Sequence, residues 1–435
     1  MRQLSKIMHS FINMNYVLLI LLLNGCTLAA SSEWEPSPPY RYHPTLPNPL
    51  YRDGQTIAAT DWEAHRPYLK QLLTRYQYGE MPDPRSLDRV EVETTDETYL
   101  RDSTARQQNL RFTLHKDGKQ ASVRVGVVIP EREGPLPVII KNDRFRFELS
   151  DIRNAKKEAQ YAEKKRDRIQ QFAAREAIAR GYVFVKFIRE DVAADRPNNR
   201  DTGVLALYPE YSWGNIAAWG WMYSIIIDWL EDQSYADATR VAVTGHSRGG
   251  KTALCAGIYD ERIAVTAPNS SGSGGTGSWR YFDPEQRRQT LAAVEPYHHF
   301  WFTDPLFHFA DSAAYLPFDA HFAKMLVAPR ALVNMHARQD YWANPYGTQL
   351  THLAAQPIFD AYGKPDNLAV HWRDGGHDQN REDWLALYDF CDWYFYGKAR
   401  TETYNRNPHA HYRYDSILNP YLEYFAGFGK MTAEQ

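Results

Sequence analysis

The chain is 435 residues long and sets 50 Lys and Arg against 53 Asp and Glu, a formal charge of −3. That near-balance argues against a nucleic-acid binder, which would show a basic excess, and the length is ample for a large buried core. Aromatic residues are plentiful, with 12 Trp and 29 Tyr; most belong in a core, though such a surplus also suits a cleft facing sugar rings.

Arg2 and Lys6 precede an apolar run from Val17 to Leu23, and Leu23-Asn24-Gly25-Cys26 resembles a bacterial lipobox. The run is too short to span a bilayer as a permanent helix. Residues 1–25 are therefore expected to be a lipoprotein signal peptide and Cys26 the lipidated first residue of the mature protein. That would place the protein in the periplasm, the outer membrane or the cell surface, touching the membrane only through a lipid anchor. A plain secretory signal cut near Ala30 is the alternative, and both readings imply export. Removing Arg2 and Lys6 takes the formal charge from −3 to −5, since residues 1–25 hold no acid.

Residues 26–60, rich in Pro, Ser and Tyr, read as a tether and an N-terminal arm, and residues 61–430 as a single catalytic domain. Asp61 to Leu73 carries apolar residues at helical spacing behind an Asp cap. Residues 90–129 alternate polar and apolar, which predicts antiparallel strands with one solvated face. Leu136–Lys141 and Gly181–Phe187 are denser apolar runs, expected to be strands buried on both faces. Between them, Asp151 to Arg180 has helical composition, and its Lys156, Lys157, Lys164, Lys165 and Arg166 interleave with acids as on a solvated helix face. Trp213–Leu230 reads as an amphipathic helix, and Arg330–His336 and Leu368–Trp372 as two later strands. Strands alternating with helices over this length imply a mostly parallel sheet covered on both faces. Cys255 and Cys391 are expected to be buried free thiols, because a fold of this size needs no staple.

The most informative stretch is Val241 to Lys251, where four strand-forming residues run into Gly245-His246-Ser247-Arg248-Gly249. A strand, a turn so tight that the glycines two positions either side of the serine must lack side chains, and a helix from Lys251 to about Ile258 form a nucleophile elbow. The turn lifts the Ser247 hydroxyl above the sheet edge. The fold class that follows is α/β, an α/β-hydrolase: a three-layer sandwich with a mostly parallel central sheet and an N-terminal antiparallel extension.

A serine nucleophile needs a base within hydrogen-bond reach and a carboxylate to orient that base, in the chain order Ser, acid, His. His377, in Asp374-Gly-Gly-His377 directly after the Leu368–Trp372 strand, stands where the base belongs. Asp340, after the penultimate strand, is the first choice of acid, with Glu295 and Asp319 as competitors; Asp378 adjoins the base and is poorly placed to face it. Arg248 and Lys251 put two cations beside the nucleophile, where Arg248 would stabilise an oxyanion and the pair would favour a substrate bearing a carboxyl or its ester. A zinc site on His298, His299 and His308 is a weaker alternative, lacking any His-Glu-x-x-His spacing.

Gly245-His-Ser-Arg-Gly-Gly-Lys251 resembles the signature of glucuronoyl esterases, carbohydrate esterase family 15. Ser271 to Gly275 with Trp279-Arg280, Val327 to Arg330, Tyr341-Trp342 and Gly375-Gly-His377 add to the likeness, which runs from about Tyr78 to Trp393. The resemblance implies Ser247 as nucleophile, His377 as base, the Arg248 side chain in the oxyanion hole, and Lys251, Trp342 and Glu295 as contacts to the sugar. Two positions depart from the fungal pattern: Ser270 replaces its acidic residue, which favours Asp340 as the acid, and His246 stands where it has a disulfide cysteine.

The function implied is a serine carbohydrate esterase that cleaves hexuronate esters through an acyl-enzyme, foremost 4-O-methyl-glucuronoyl esters joining xylan to lignin alcohols. A pectin methylesterase or an acetyl(xylan) esterase is the alternative within this chemistry. A non-catalytic glycan-binding protein on a hydrolase scaffold is the alternative outside it. The partner would be a plant or algal polysaccharide bearing uronate esters, the oligomeric state a monomer, and no metal or organic cofactor is expected.

Overall fold

One sheet organises the chain, and the pairing within it switches from antiparallel to parallel where the hydrophobic pattern changes. The computed structural model describes residues 42–43, 45–99, 104–144, 165–283, 285–286, 288–408 and 414–431, with side chains in the helix opening at Lys165 described from Ile169. The predicted signal peptide, Cys26 and residues 151–164 of the predicted charged helix lie outside the described residues. Tyr42–Gln435 forms one compact unit.

Strands β1 (Arg89–Tyr99), β2 (Ala105–Lys116) and β3 (Lys119–Pro130) form an antiparallel meander. Its outer strand, β1, is almost wholly exposed, while β3 alternates at first and is continuously buried from Val127 onward. Then come β4 (Leu136–Asp143), β5 (Val183–Ile188), β6 (Ala236–His246), β7 (Ile263–Asn269), β8 (Ala331–Ala337) and β9 (Leu368–Arg373). The order across the sheet is β9-β8-β7-β6-β4-β5-β3-β2-β1. All neighbours from β9 to β5 are parallel, and β5 joins the meander by antiparallel pairing with β3. Strands β4, β5 and β8 are buried at every position, as strands covered on both faces must be. Parallel register brings the carboxyl ends of β4, β6, β7, β8 and β9 to one edge, where the connecting loops gather.

The helices used below are α1 (Trp62–Leu73), α2 (Lys165–Arg180), α3 (Asn215–Glu231), α4 (Arg248–Tyr259), α5 (Leu291–His298), α6 (Pro345–Ala361) and α7 (Arg381–Tyr396). On one face of the sheet, Ala173 and Ala177 of α2 and Trp384 and Leu387 of α7 pack with Ala242, Val265 and Val333. The alanines let α2 sit close to the strands while Trp384 fills the space beside it. Helices α3 and α4 pack on each other, and α4 on β6 and β7, which completes three layers. Helix α7 starts at a capping box in which Asn380 and Asp383 satisfy each other's backbone N–H.

Three local expectations are corrected. Asp61 occupies the cap position of α1 but its carboxylate accepts no backbone N–H. A short 3-10 turn, Ala59–Asp61, leads in and leaves Asp61 at ψ 1°, not the extended conformation that folds a cap side chain back. Helix α3 begins at Asn215, and it is buried nearly all round where an amphipathic helix was expected. Its outer side is covered by loops: Trp221 Nε1 donates to Pro82 O and Trp219 Nε1 to Ala193 O, both at 2.8 Å. Helix α4 starts at Arg248, three residues earlier than expected.

Cys255 and Cys391 are buried and free. Part of the segment expected to be an arm is anchored: Leu46 and Leu50 are buried, and the Pro47 and Pro49 carbonyls lie within hydrogen-bond distance of His321 and His65. Among the described residues, no helix is long and apolar enough to cross a membrane.

Candidate active site

The turn from β6 to α4 is held by close contacts that only glycine permits. A Cβ on Gly245 would lie 2.3 Å from Gly249 O, and one on Gly249 would lie 2.6 Å from Asn142 Oδ1. Between them Ser247 takes φ 58° and ψ −121°, a conformation that L-residues rarely hold and that a surrounding lattice of bonds must enforce. That lattice is present. Ser247 N donates to Asn269 O at 2.9 Å, while Asn142 Nδ2 bridges Gly249 O at 2.8 Å and the Tyr223 hydroxyl at 2.6 Å.

Above the elbow, His377 Nε2 lies 2.8 Å from Ser247 Oγ and His377 Nδ1 lies 2.7 Å from Asp340 Oδ2. With Asp340 as acceptor, Nδ1 carries the proton and Nε2 is the lone pair facing the serine. The loops that supply acid and base are clipped together. Gly375 N donates to Gln339 Oε1 at 2.6 Å, and Gln339 N returns a bond to Gly375 O at 3.2 Å. Arg373, paired with Asp383 at 2.8 Å where both are almost fully buried, also donates to Asp378 O and so fixes the turn bearing His377. Asp340 is 2 % exposed. Burial alone would raise its carboxyl, but the His377 hydrogen bond, the charges of His336 and His377 and the Ala343 N–H outweigh it and hold the group below its ordinary value.

The competing acids are placed elsewhere. Asp319 is fully buried and accepts from Ser278 Oγ, Trp279 N and Ala320 N at 2.7–2.9 Å, a structural carboxylate. Glu295 lies half-buried on α5, and no hydrogen bond or ion pair to it occurs among the described residues. Ser270 directly follows β7 and is buried, with a hydroxyl that has no partner among the described residues.

Both cations beside the nucleophile have partners within the fold. Arg248 forms an ion pair with Asp195, whose side chain is 1 % exposed, and lies 4.7 Å over the Trp301 ring. Trp301 Nε1 in turn donates to Asp195 Oδ1 at 3.0 Å, and His298 stacks on the Trp301 ring at 3.8 Å. Lys251 turns inward because α4 packs that side against the loop following β7. Its ammonium donates to Ser271 O at 2.5 Å, Ser273 O at 2.6 Å and Gln289 Oε1 at 3.3 Å. Burial first, and Arg248 next, press Lys251 down to about 7, while three oxygen acceptors favour its charged form. Trp342, by contrast, is 40 % exposed in the turn directly after Asp340. His298 and His299 stack on separate aromatic partners, Trp301 and Phe307.

Asp195 and Gln289 were not singled out in the sequence. Neither belongs to a motif; each is recognisable only by the cation it meets across the fold.

A family profile described as "Glucuronyl esterase, fungi" matches residues 112–363. The chain belongs to the glucuronoyl esterase family. It is 29 % identical over 428 residues to carbohydrate esterase MZ0003 from an unknown prokaryotic organism, covering 86 % of this chain and 98 % of that one. It is 27 % identical to the 4-O-methyl-glucuronoyl methylesterase of Phanerochaete carnosa, over 82 % of each chain. Among solved structures, the carbohydrate esterase family 15 glucuronoyl esterase from Caldicellulosiruptor kristjansonii superposes with a TM-score of 0.67 at 29 % identity, covering 85 % of this chain and 95 % of that one. This glucuronoyl esterase-like protein is thus a carboxylic-ester hydrolase with an α/β-hydrolase fold. At its elbow the Arg248 N–H, in the first turn of α4, has no intrahelical acceptor, and the positive end of the helix dipole lies at the same place.

Proposed function

We propose that this esterase hydrolyses hexuronate esters, 4-O-methyl-glucuronoyl esters on plant polysaccharide in particular, through an acyl-enzyme on Ser247. The observation that carries the reading is the unbroken relay from Asp340 through His377 to Ser247 Oγ, in a chain whose relatives are named for that ester. His377 takes the Ser247 proton as the hydroxyl attacks the ester carbonyl. Arg248 and its N–H meet the oxygen as it gains charge, an interaction that is worth most in the transition state. His377 then gives the proton to the departing alcohol, and a water repeats the sequence to release the uronic acid. Lys251 with Gln289, Trp342 and Glu295 are assigned to the sugar side. The resemblance implied lignin alcohols as the leaving group; the relay itself is indifferent to the alcohol.

The test is parallel hydrolysis of methyl glucuronate, methyl galacturonate and p-nitrophenyl acetate by the wild type and Ser247→Ala. Dominant, Ser247-dependent turnover of the glucuronate supports the reading. Preference for galacturonate moves the protein to the pectin esterases, preference for acetate to the acetyl esterases, and no Ser247-dependent turnover brings forward a glycan-binding role. Export as a Cys26 lipoprotein is proposed from the lipobox, and mass analysis of the mature N-terminus in wild type and Cys26→Ala tests it.

A further inference from the structure

Two hydrogen bonds hold the imidazole of His377, one from Nδ1 to Asp340 and one between Nε2 and Ser247 Oγ. The second is lost in every turnover, because an acylated serine has no proton to share. Through that half of the cycle one hydrogen bond and the ring's own packing must keep His377 in place. The bonds that anchor its loop, Gly375 N to Gln339 Oε1 and Arg373 to Asp378 O, do not involve the imidazole. Among the described residues one ring packs against it: His246, at 4.8 Å between centroids and a tilt of 42°, within the range of packed ring pairs.

His246 is itself fixed. It ends β6 in parallel register with Asn269, the last residue of β7. Its Nδ1–H donates to Asn269 Oδ1 at 2.6 Å, and the Asn269 carbonyl accepts from Ser247 N at 2.9 Å. Asn269 has no exposed surface. It lies in register with Met335 of β8, whose carbonyl accepts from Ser270 N at 2.9 Å. One buried asparagine therefore carries both the backbone of the nucleophile and the ring beside the base, braced against the strand whose following loop bears Asp340. Burial first, and His377 next, hold His246 down to about 3, so the packed ring is neutral and adds no charge beside His377 when that ring takes up a proton.

His377 must serve several oxygens in turn: Ser247 Oγ, the departing alcohol, and then the water that releases the acid. A base displaced by about 1 Å loses up to about 10²-fold in rate. We propose that His246 is a positioning residue: its ring, clamped by Asn269, is a wall that stops His377 from turning away while the serine is acylated. The inference rests on the serine-esterase reading above and goes beyond it, since His246 itself neither attacks nor transfers a proton.

The experiment compares the wild type with His246→Ala, which removes the wall, and His246→Phe, which restores a flat ring without the bond to Asn269. Turnover of methyl glucuronate is measured per mole of folded protein, the folded fraction being read from urea unfolding. His246→Ala is expected to lower kcat by about 10- to 10²-fold, and His246→Phe to recover most of the loss. A second readout, independent of activity, is the low-field proton resonance of His377 Nδ1–H, identified by its absence from His377→Ala. It is recorded in the Ser247→Ala background, where Nε2 lacks its serine bond as it does in the acyl-enzyme. The resonance is expected to be sharp with His246 or Phe at that position and broadened in His246→Ala. Wild-type kcat in His246→Ala, an equal loss in His246→Phe, or a lowered kcat with an unmoved resonance would each overturn the proposal, the last because the loss would then be structural. Absence of Ser247-dependent turnover by the wild type would instead remove the esterase reading, and this inference with it.

Discussion

The rings of His246 and His377 lie 4.8 Å apart, centroid to centroid, tilted by 42°. Burial first, and the neighbouring His377 next, hold His246 down to about 3, and the carboxyl of Asp340 also lies below its ordinary value. Neither group takes up a proton above about pH 4. A general base must be neutral to accept the serine proton, so kcat/KM on methyl glucuronate is expected to fall on the acid side with a slope of one. A pH profile with a slope of two above pH 4 would mean that His246 titrates together with the base.

Ser247→Ala and His377→Ala are each expected to lower kcat by about 10⁴–10⁶-fold, because members of a relay act as a unit. The double variant should be little worse than either single one. Steady-state rates with methyl glucuronate check this, and near-additive losses would argue against a shared relay.

Asp340→Asn keeps the shape of the site but removes the charge that orients His377 Nδ1–H. The expected loss is about 10²–10⁴-fold in kcat, less than for Ser247 or His377. Full activity in this variant would mean that Asp340 is not the acid.

Asp195 is paired with Arg248 and is expected to act on the reaction through it. Asp195→Ala frees the guanidinium from its buried partner, and kcat per titrated active site is expected to drop about 10²-fold with a much smaller change in KM. A role confined to folding would lower the number of titratable sites and leave kcat per site unchanged. Partial rescue by Asp195→Glu would support positioning.

Lys251→Met removes three donated hydrogen bonds and strands the Ser271 and Ser273 carbonyls, while Gln289 Oε1 keeps only the Ser273 N–H. A loss of roughly 2–5 kcal/mol of stability is expected, read as a lower urea midpoint. Turnover of methyl glucuronate should fall further than turnover of p-nitrophenyl acetate. Equal losses on the two would make Lys251 a support for the loop alone.

Much of this protein is written locally. The β6–α4 turn was legible because a tight strand-to-helix reversal crowds position 245 against the Gly249 carbonyl, and the alternation in β2 and β3 against the dense run at Leu136–Lys141 foretold where the sheet turns from one-sided to two-sided burial, although β1 is exposed on both faces. The cap at Asp61 and the amphipathic reading of α3 failed because neighbouring segments, a 3-10 turn and the loops holding Pro82 and Ala193, overrode the local pattern. The order of the strands, the meeting of Asp340 with His377 while Asp319 is tied to Ser278 and Trp279, the inward turn of Lys251 and the Asp195 clamp on Arg248 were settled only by tertiary structure. Local stereochemistry is set by adjacent residues, whereas the partner of a charge is chosen by segments that lie tens to hundreds of residues away and meet only when the sheet has formed.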